Sequence, residues 1–233
     1  KNIRSWIKMK KTSAFTLIET MIALVISIIS VGAIYSSYLF FKDSYQTILD
    51  KAEVNDYGRI AIPMITKDLR NTGYQSVNYE GTLNNKIEHT DSSSTADSIS
   101  IWYNSSGSSV KKIKYLVKKY NTSDDLYLAR EIDGSAREIV PNVEDFQVIL
   151  KDKQGRRLSP VCAVSSGCTQ EGKDNQNEVH TAEVYITIRS PNKINKEKRK
   201  YIVTNANRTI SKEDRYHRET FFISVYLRNI NKI

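Results

Sequence analysis

The sequence predicts an α+β fold in which one long N-terminal α-helix packs on an antiparallel β-sheet. Three observations predict it. Residues 15–72 hold no strong interior helix breaker except Pro63, and they are apolar at first and amphipathic later. Beyond Tyr74 the hydrophobic period falls from three or four to two, in short runs separated by turn residues. No helical pattern alternates with those runs, which argues against parallel βαβ units and for strands gathered on one helix.

The N-terminal element comes first. Residues 1–14 carry Lys1, Arg4, Lys8, Lys10 and Lys11 without an acid, and an apolar run follows. From residue 21 to residue 41 no side chain is ionised at neutral pH. Those 21 residues reach about 31 Å at the helical rise, the thickness of a bilayer's hydrocarbon core. The cations precede the span and only Lys42 directly follows it, so the positive-inside rule sets the N-terminus in the cytoplasm. Glu19 is the exception to the apolar pattern. A carboxylate deep in a bilayer costs about 2.5–3.5 kcal/mol on insertion scales, and a functional role is its default reading. An ordinary secretory signal would be cut near Val31-Gly32-Ala33, yet apolar residues continue to Phe41 and Glu19 would go unexplained.

The helix is expected to run on past the span. Tyr45, Ile48, Leu49, Ala52, Ile62, Ile65 and Leu69 form a stripe at spacings of three and four, with Lys51, Glu53, Asp56, Lys67 and Asp68 mostly off it. Pro63 should bend the rod and Gly58 loosen the turn before it, while Gly73 is suited to the left-handed residue that ends it. Residues 77–109 are rich in Ser, Asn, Thr and Gly and read as loop around one strand at 99–103. Further strands are expected at 110–120, 126–132, 143–150, 183–189 and 220–227, the first two paired across the turn 121–125. Turn chemistry marks 152–155, 160–172 and 191–195. The 160 residues of 74–233 suffice for one globular domain.

Composition bounds the chemistry. The net charge is +9, and removing the five cations of residues 1–14 leaves +4. The chain begins at Lys1 rather than Met, so its true start is expected slightly upstream. Cys162 and Cys168 lie on the outer side of the span and read as a disulfide; a metal site would need two more ligands, and only His180 is near in sequence. His89, His180 and His217 share no metal or triad spacing. Phosphate-binding Gly loops, H-E-x-x-H and G-x-S-x-G are absent, so no cofactor and no enzyme is expected. Residues 174–178 offer oxygen ligands without a calcium-loop glycine and read as a solvated turn. Two basic runs, with Lys111, Lys112, Lys114, Lys118 and Lys119 in one and Lys193, Lys196, Lys198, Arg199 and Lys200 in the other, lie beside tyrosines in a pattern that suits DNA contact. Lys112, Lys114 and Lys118 are also what the outer face of an edge strand uses against edge pairing.

The string Ala14-Phe15-Thr16-Leu17-Ile18-Glu19, after a short basic leader and before an apolar helix, resembles the type IV prepilin signature. Four later blocks, 68–74, 139–148, 183–189 and 221–229, are similar to the W-type minor pilins of type IV pili (PilW-like), and the second and fourth also to the J-type minor pseudopilins of type II secretion. The resemblance implies a pilin fold divided into a leader (1–14), a helix (15–73, span 21–41) and an outer β-domain (74–233). It implies cleavage between Ala14 and Phe15 by a prepilin peptidase, N-methylation of Phe15, and pairing of Glu19 with the N-terminal ammonium of a neighbouring subunit. Gly is usual before the cut, where this chain has Ala14. The implied partners are other minor pilins, the major pilin and the inner membrane, in a tip-like complex that primes assembly. The implied location is the inner membrane before assembly, and the periplasm and extracellular pilus after it. Within this resemblance a pseudopilin is the near alternative, and a DNA-contacting or adhesive tip subunit the more distant one.

Overall fold

The computed structural model describes residues 15–92, 96–107, 109–164, 167–205 and 208–230. It divides into two compact units, Lys1–Thr47 and Ile48–Ile233. Helix α1 (Leu17–Asn71) contributes to both. In the first unit every described apolar side chain from Phe15 to Tyr45 is exposed, and this helix is long and apolar enough to cross a membrane. Three of its serine hydroxyls bond locally: Ser27, Ser30 and Ser37 donate to the carbonyls of Ala23, Ile26 and Ala33 at 2.7, 2.8 and 2.9 Å. Such back-bonding lowers the cost of placing those three hydroxyls in apolar surroundings.

In the second unit the strands are β1 (Ile87–Thr90), β2 (Ser98–Tyr103), β3 (Lys111–Lys119), β4 (Leu126–Ile132), β5 (Ser135–Pro141), β6 (Val143–Lys151), β7 (Arg157–Leu158), β8 (Thr181–Arg189), β9 (Arg199–Asn205), β10 (Arg208–Asp214) and β11 (Arg218–Tyr226). A short helix α2 (Gln170–Glu178) precedes β8. All the paired strands are antiparallel, so the fold is α+β as expected, but three sheets replace one. Their orders are β1-β2-β3-β4-β5, β11-β8-β6-β7 and β10-β9. The two larger sheets share one core with the helix, where Val54, Ala61, Ile65 and Leu69 meet Ile101, Tyr115 and Leu128 of one sheet and Phe146, Val184 and Ile186 of the other.

Several expectations are corrected. The buried helix face is Asp50, Val54, Gly58, Ala61, Ile65, Asp68 and Leu69, whereas Tyr45, Ile48, Leu49 and Ala52 are exposed. Gly58 is a packing glycine rather than a loosened turn, since a Cβ there would lie 2.3 Å from the Phe221 ring. α1 stays helical through Pro63 and stops where expected, at Asn71, with Gly73 at φ 74°. Strand β3 is central, flanked by β2 and β4, so its lysines do not guard an edge. Residues 170–178 form α2 and not a turn; the Thr169 hydroxyl caps it by accepting from the Gly172 amide at 3.3 Å. Strands β1, β5, β7, β9 and β10 were not expected.

Candidate functional site

The residues on which the resemblance depends stand at the start of α1. Thr16 and Glu19 occupy the N-cap and N3 positions and form a reciprocal capping box. The Thr16 amide and hydroxyl both donate to Glu19 Oε2 at 2.9 Å, and the Glu19 amide donates back to Thr16 Oγ1 at 3.3 Å. The carboxylate therefore satisfies donors that the first helical turn otherwise leaves open. The S/T-x-x-E spacing of Thr16 and Glu19 is the sequence signal for this cap, a local role not expected above beside the intermolecular one. Phe15 is 85% exposed, so the aromatic ring and the carboxylate stand together at the tip of an uncovered apolar helix. Ala14, the other side of the expected cleavage, lies outside the described residues, as do the leader lysines.

The remaining predicted residues belong to the second unit. Cys162 and Cys168 are joined by a disulfide, and Gly172 of α2 lies against it: a Cβ at Gly172 would approach the two sulfurs to 3.0 and 2.8 Å. The basic residues fall in two sheets. In the first, Lys114 stands opposite Glu131, Lys118 pairs with Glu131 at 3.8 Å, Lys119 pairs with Asp124 at 2.5 Å, and Lys112 sits over the Trp102 ring. In the second, Arg199 and Lys200 face Asp214 and Glu213 in register. Lys111 starts β3 and Lys198 precedes β9. Acids thus interleave with half of the cations in the two runs, which works against a continuous cationic surface for phosphates.

Among the features that were missed are two buried charge networks. Asp68 on α1 accepts from Tyr115 Oη at 2.5 Å and from Arg130 Nε and Nη2 at 2.6 and 3.2 Å. Tyr115 and Arg130 are directly opposed on β3 and β4, so the register of that hairpin presents both to the helix. Burial, and then the Asp68 charge, raise the Tyr115 hydroxyl far above the usual tyrosine range. In the second network Arg208 reaches Asp97 and Asp145, while His89 lies 3.3 Å from Asp97. Burial pushes both carboxyls up. Hydrogen bonds from His89 and from the amides of Val148 and Ser92 outweigh it at Asp97, whose pKa ends below the usual value, whereas burial prevails at Asp145, which ends above it. His180 packs edge-on against Tyr226, and His217 sits 3.0 Å from Glu219. Among the described residues no three His, Cys, Asp or Glu side chains are placed to hold a metal ion.

Comparison with known proteins adds the following. Residues 9–35 match the family described as the prokaryotic N-terminal methylation motif. No curated protein sequence matches the chain. Among solved structures, a type IV-like pilin from Thermus thermophilus is similar at 13% identity and a TM-score of 0.49, over 76% of this chain and 98% of its own.

Proposed function

We propose that this chain is a minor pilin of a type IV filament, of the W type, acting as a non-enzymatic assembly subunit. The observation that supports it is the methylation motif at residues 9–35, which opens onto an exposed apolar helix capped by Glu19. In this reading a prepilin peptidase cuts between Ala14 and Phe15, and Phe15 is N-methylated. The subunit waits in the inner membrane with its N-terminus cytoplasmic, as the leader charges direct. It then joins other minor pilins and the major pilin in the complex that primes the filament.

Glu19 can keep its local duty throughout. The Thr16 amide survives a cut at Phe15, and both hydrogen bonds from Thr16 fall on Oε2. An ammonium from a neighbour's Phe15 would neutralise the carboxylate as helices pack in low dielectric, where an unpaired charge is costly. Mass spectrometry of the mature N-terminus tests the reading: N-methyl-Phe15 is expected, and a chain beginning at Ile34 or an uncut leader refutes it. Glu19→Ala should leave membrane insertion intact and impair incorporation into the filament or its initiating complex. Incorporation at the wild-type level would refute the assigned role of Glu19.

A further inference from the structure

An open cleft of about 690 Å³ lies beside the C-terminal end of α1, walled by the turn after the helix, the segment before β1, helix α2 and the segment after β11. That volume is within the range of small-molecule sites, about 300–1,000 Å³. Its lining is rich in one kind of group: six of its residues are carboxamides, Gln75, Asn84, Gln170, Gln176, Asn177 and Asn229. Tyr74 adds one aromatic ring, 42% exposed.

The carboxamides divide into a fixed frame and a presented set. Gln176 is buried and held at both ends, its oxygen accepting from the Lys86 amide at 2.9 Å and its nitrogen donating to the Asn84 carbonyl at 3.2 Å. Asn229 donates to the Arg70 carbonyl at 2.8 Å, and Gln75 donates to the Gly81 carbonyl. Those two anchors use the amide nitrogens and leave the amide oxygens as acceptors. Asn84 and Asn177 are exposed on the cleft with both donor and acceptor to offer.

Charge is muted. The Lys86 ammonium donates to the Ile230 carbonyl at 2.9 Å, the Asp174 carboxylate accepts from Gln170 at 2.9 Å, and Lys173 beside it offsets that acid. A ligand that suits this wall carries several groups that both donate and accept, little net charge, and a flat apolar face for the ring. A pyranose has all three: vicinal hydroxyls match planar carboxamides, and its C–H face stacks on an aromatic.

We infer that this cleft is a binding site for a neutral saccharide, with Tyr74 as the stacking platform and Asn84 and Asn177 as hydroxyl-recognising groups. The inference stands on the second compact unit alone and does not require the filament reading.

The test is saturation-transfer difference NMR on the full chain in detergent micelles, with lactose, chitobiose and maltose as neutral probes and sialyllactose as the acidic one. At least one neutral probe should give transfer at millimolar concentration. Tyr74→Ala should weaken it about tenfold, and Tyr74→Phe should leave it within about twofold, since the ring and not the hydroxyl stacks. Asn177→Ala should weaken it about fivefold, the effect of losing one net hydrogen bond. Near-ultraviolet circular dichroism identical to that of the parent shows that the variants are folded. No transfer from any neutral probe, transfer from sialyllactose alone, or transfer unchanged in folded Tyr74→Ala and Asn177→Ala would each overturn the inference.

Discussion

Removing the Asp68 carboxylate is expected to destabilise the second unit by about 3 kcal/mol, and the structure sets that figure. Asp68 takes three hydrogen bonds from two partners on adjacent strands, and its side chain is 5% exposed against 21% for Arg130. Breaking a fully buried pair costs about 3–5 kcal/mol, because the surviving charge is stranded. Arg130 keeps a fifth of its surface in water, which places Asp68→Ala at the lower end. The Tyr115 hydroxyl, fully buried, loses its acceptor at the same time. The triple variant Asp68→Leu, Arg130→Met, Tyr115→Phe strands nothing, and is expected within about 1 kcal/mol of the parent. Urea unfolding of the full chain in micelles, followed by near-ultraviolet circular dichroism, measures both through the shift in midpoint at constant slope. If Asp68→Ala stays within about 0.5 kcal/mol of the parent, or costs no more than the triple variant, the network does not secure the helix and the reasoning fails.

Three further outcomes are expected. The Asp97 carboxyl has a folded pKa below its unfolded value of about 3.9. Its contribution is therefore complete above that value and drains as pH falls through the folded one, so the stability gap between parent and Asp97→Asn should narrow on acidification. A gap constant across urea midpoints from about pH 5 to about pH 3 would contradict this. Gly58→Ala sets a Cβ 2.3 Å from the Phe221 ring. Overpacking of about 1–3 kcal/mol should outweigh the roughly 1 kcal/mol of helix propensity gained, and Phe221→Leu should rescue the variant; a raised melting temperature for Gly58→Ala alone argues against the close packing. Replacing Cys162 and Cys168 by Ser opens a loop of sequence separation 6, worth about 2 kcal/mol by loop closure. Hydrogen exchange should quicken first in α2, which the Cys162 amide ties through the Gly172 carbonyl at 2.8 Å; unchanged exchange there would show that the bridge does not hold the helix.

What could be read from sequence followed from periodicity. β3, β4, β6, β8 and β11 alternate or run apolar, and their expected and observed bounds differ by two residues at most. The end of α1 was legible because Gly73 takes a conformation that other residues avoid. The helix face was not, because two of its buried positions are acids. Asp68 reads as solvated until Arg130, 62 residues away, is placed beside it. β5 is exposed over most of its length and shows no alternation, yet Asp133-Gly134, both at positive φ, is the hairpin signal that marks its start. α2 has no apolar stripe and is fixed instead by Thr169 at its start and by Gln176, whose partners are about 90 residues away in sequence. At the candidate assembly site the carboxylate was found for its improbability in lipid. Its capping bond is set by the three-residue spacing to Thr16.

The non-apolar positions on the helix face decide how firmly α1 is held within the second unit. A stripe of Val54, Ala61, Ile65 and Leu69 is smooth enough to pack at more than one register, since a one-turn slide of about 5.4 Å replaces one aliphatic contact by another. Three contacts forbid that slide. Asp50 accepts from Asn192 at 3.3 Å, Gly58 alone leaves room for the Phe221 ring, and Asp68 finds its two donors only where β3 and β4 present them. A slide by one turn would bring a side chain against Phe221 and strand the Asp68 and Arg130 charges at once. For a subunit that is anchored in a membrane and joins a filament through its N-terminal helix, as proposed, a load on that helix would reach the sheets through these contacts. Their polar chemistry, which obscured the helix face in the sequence, supplies the single register that an aliphatic stripe lacks.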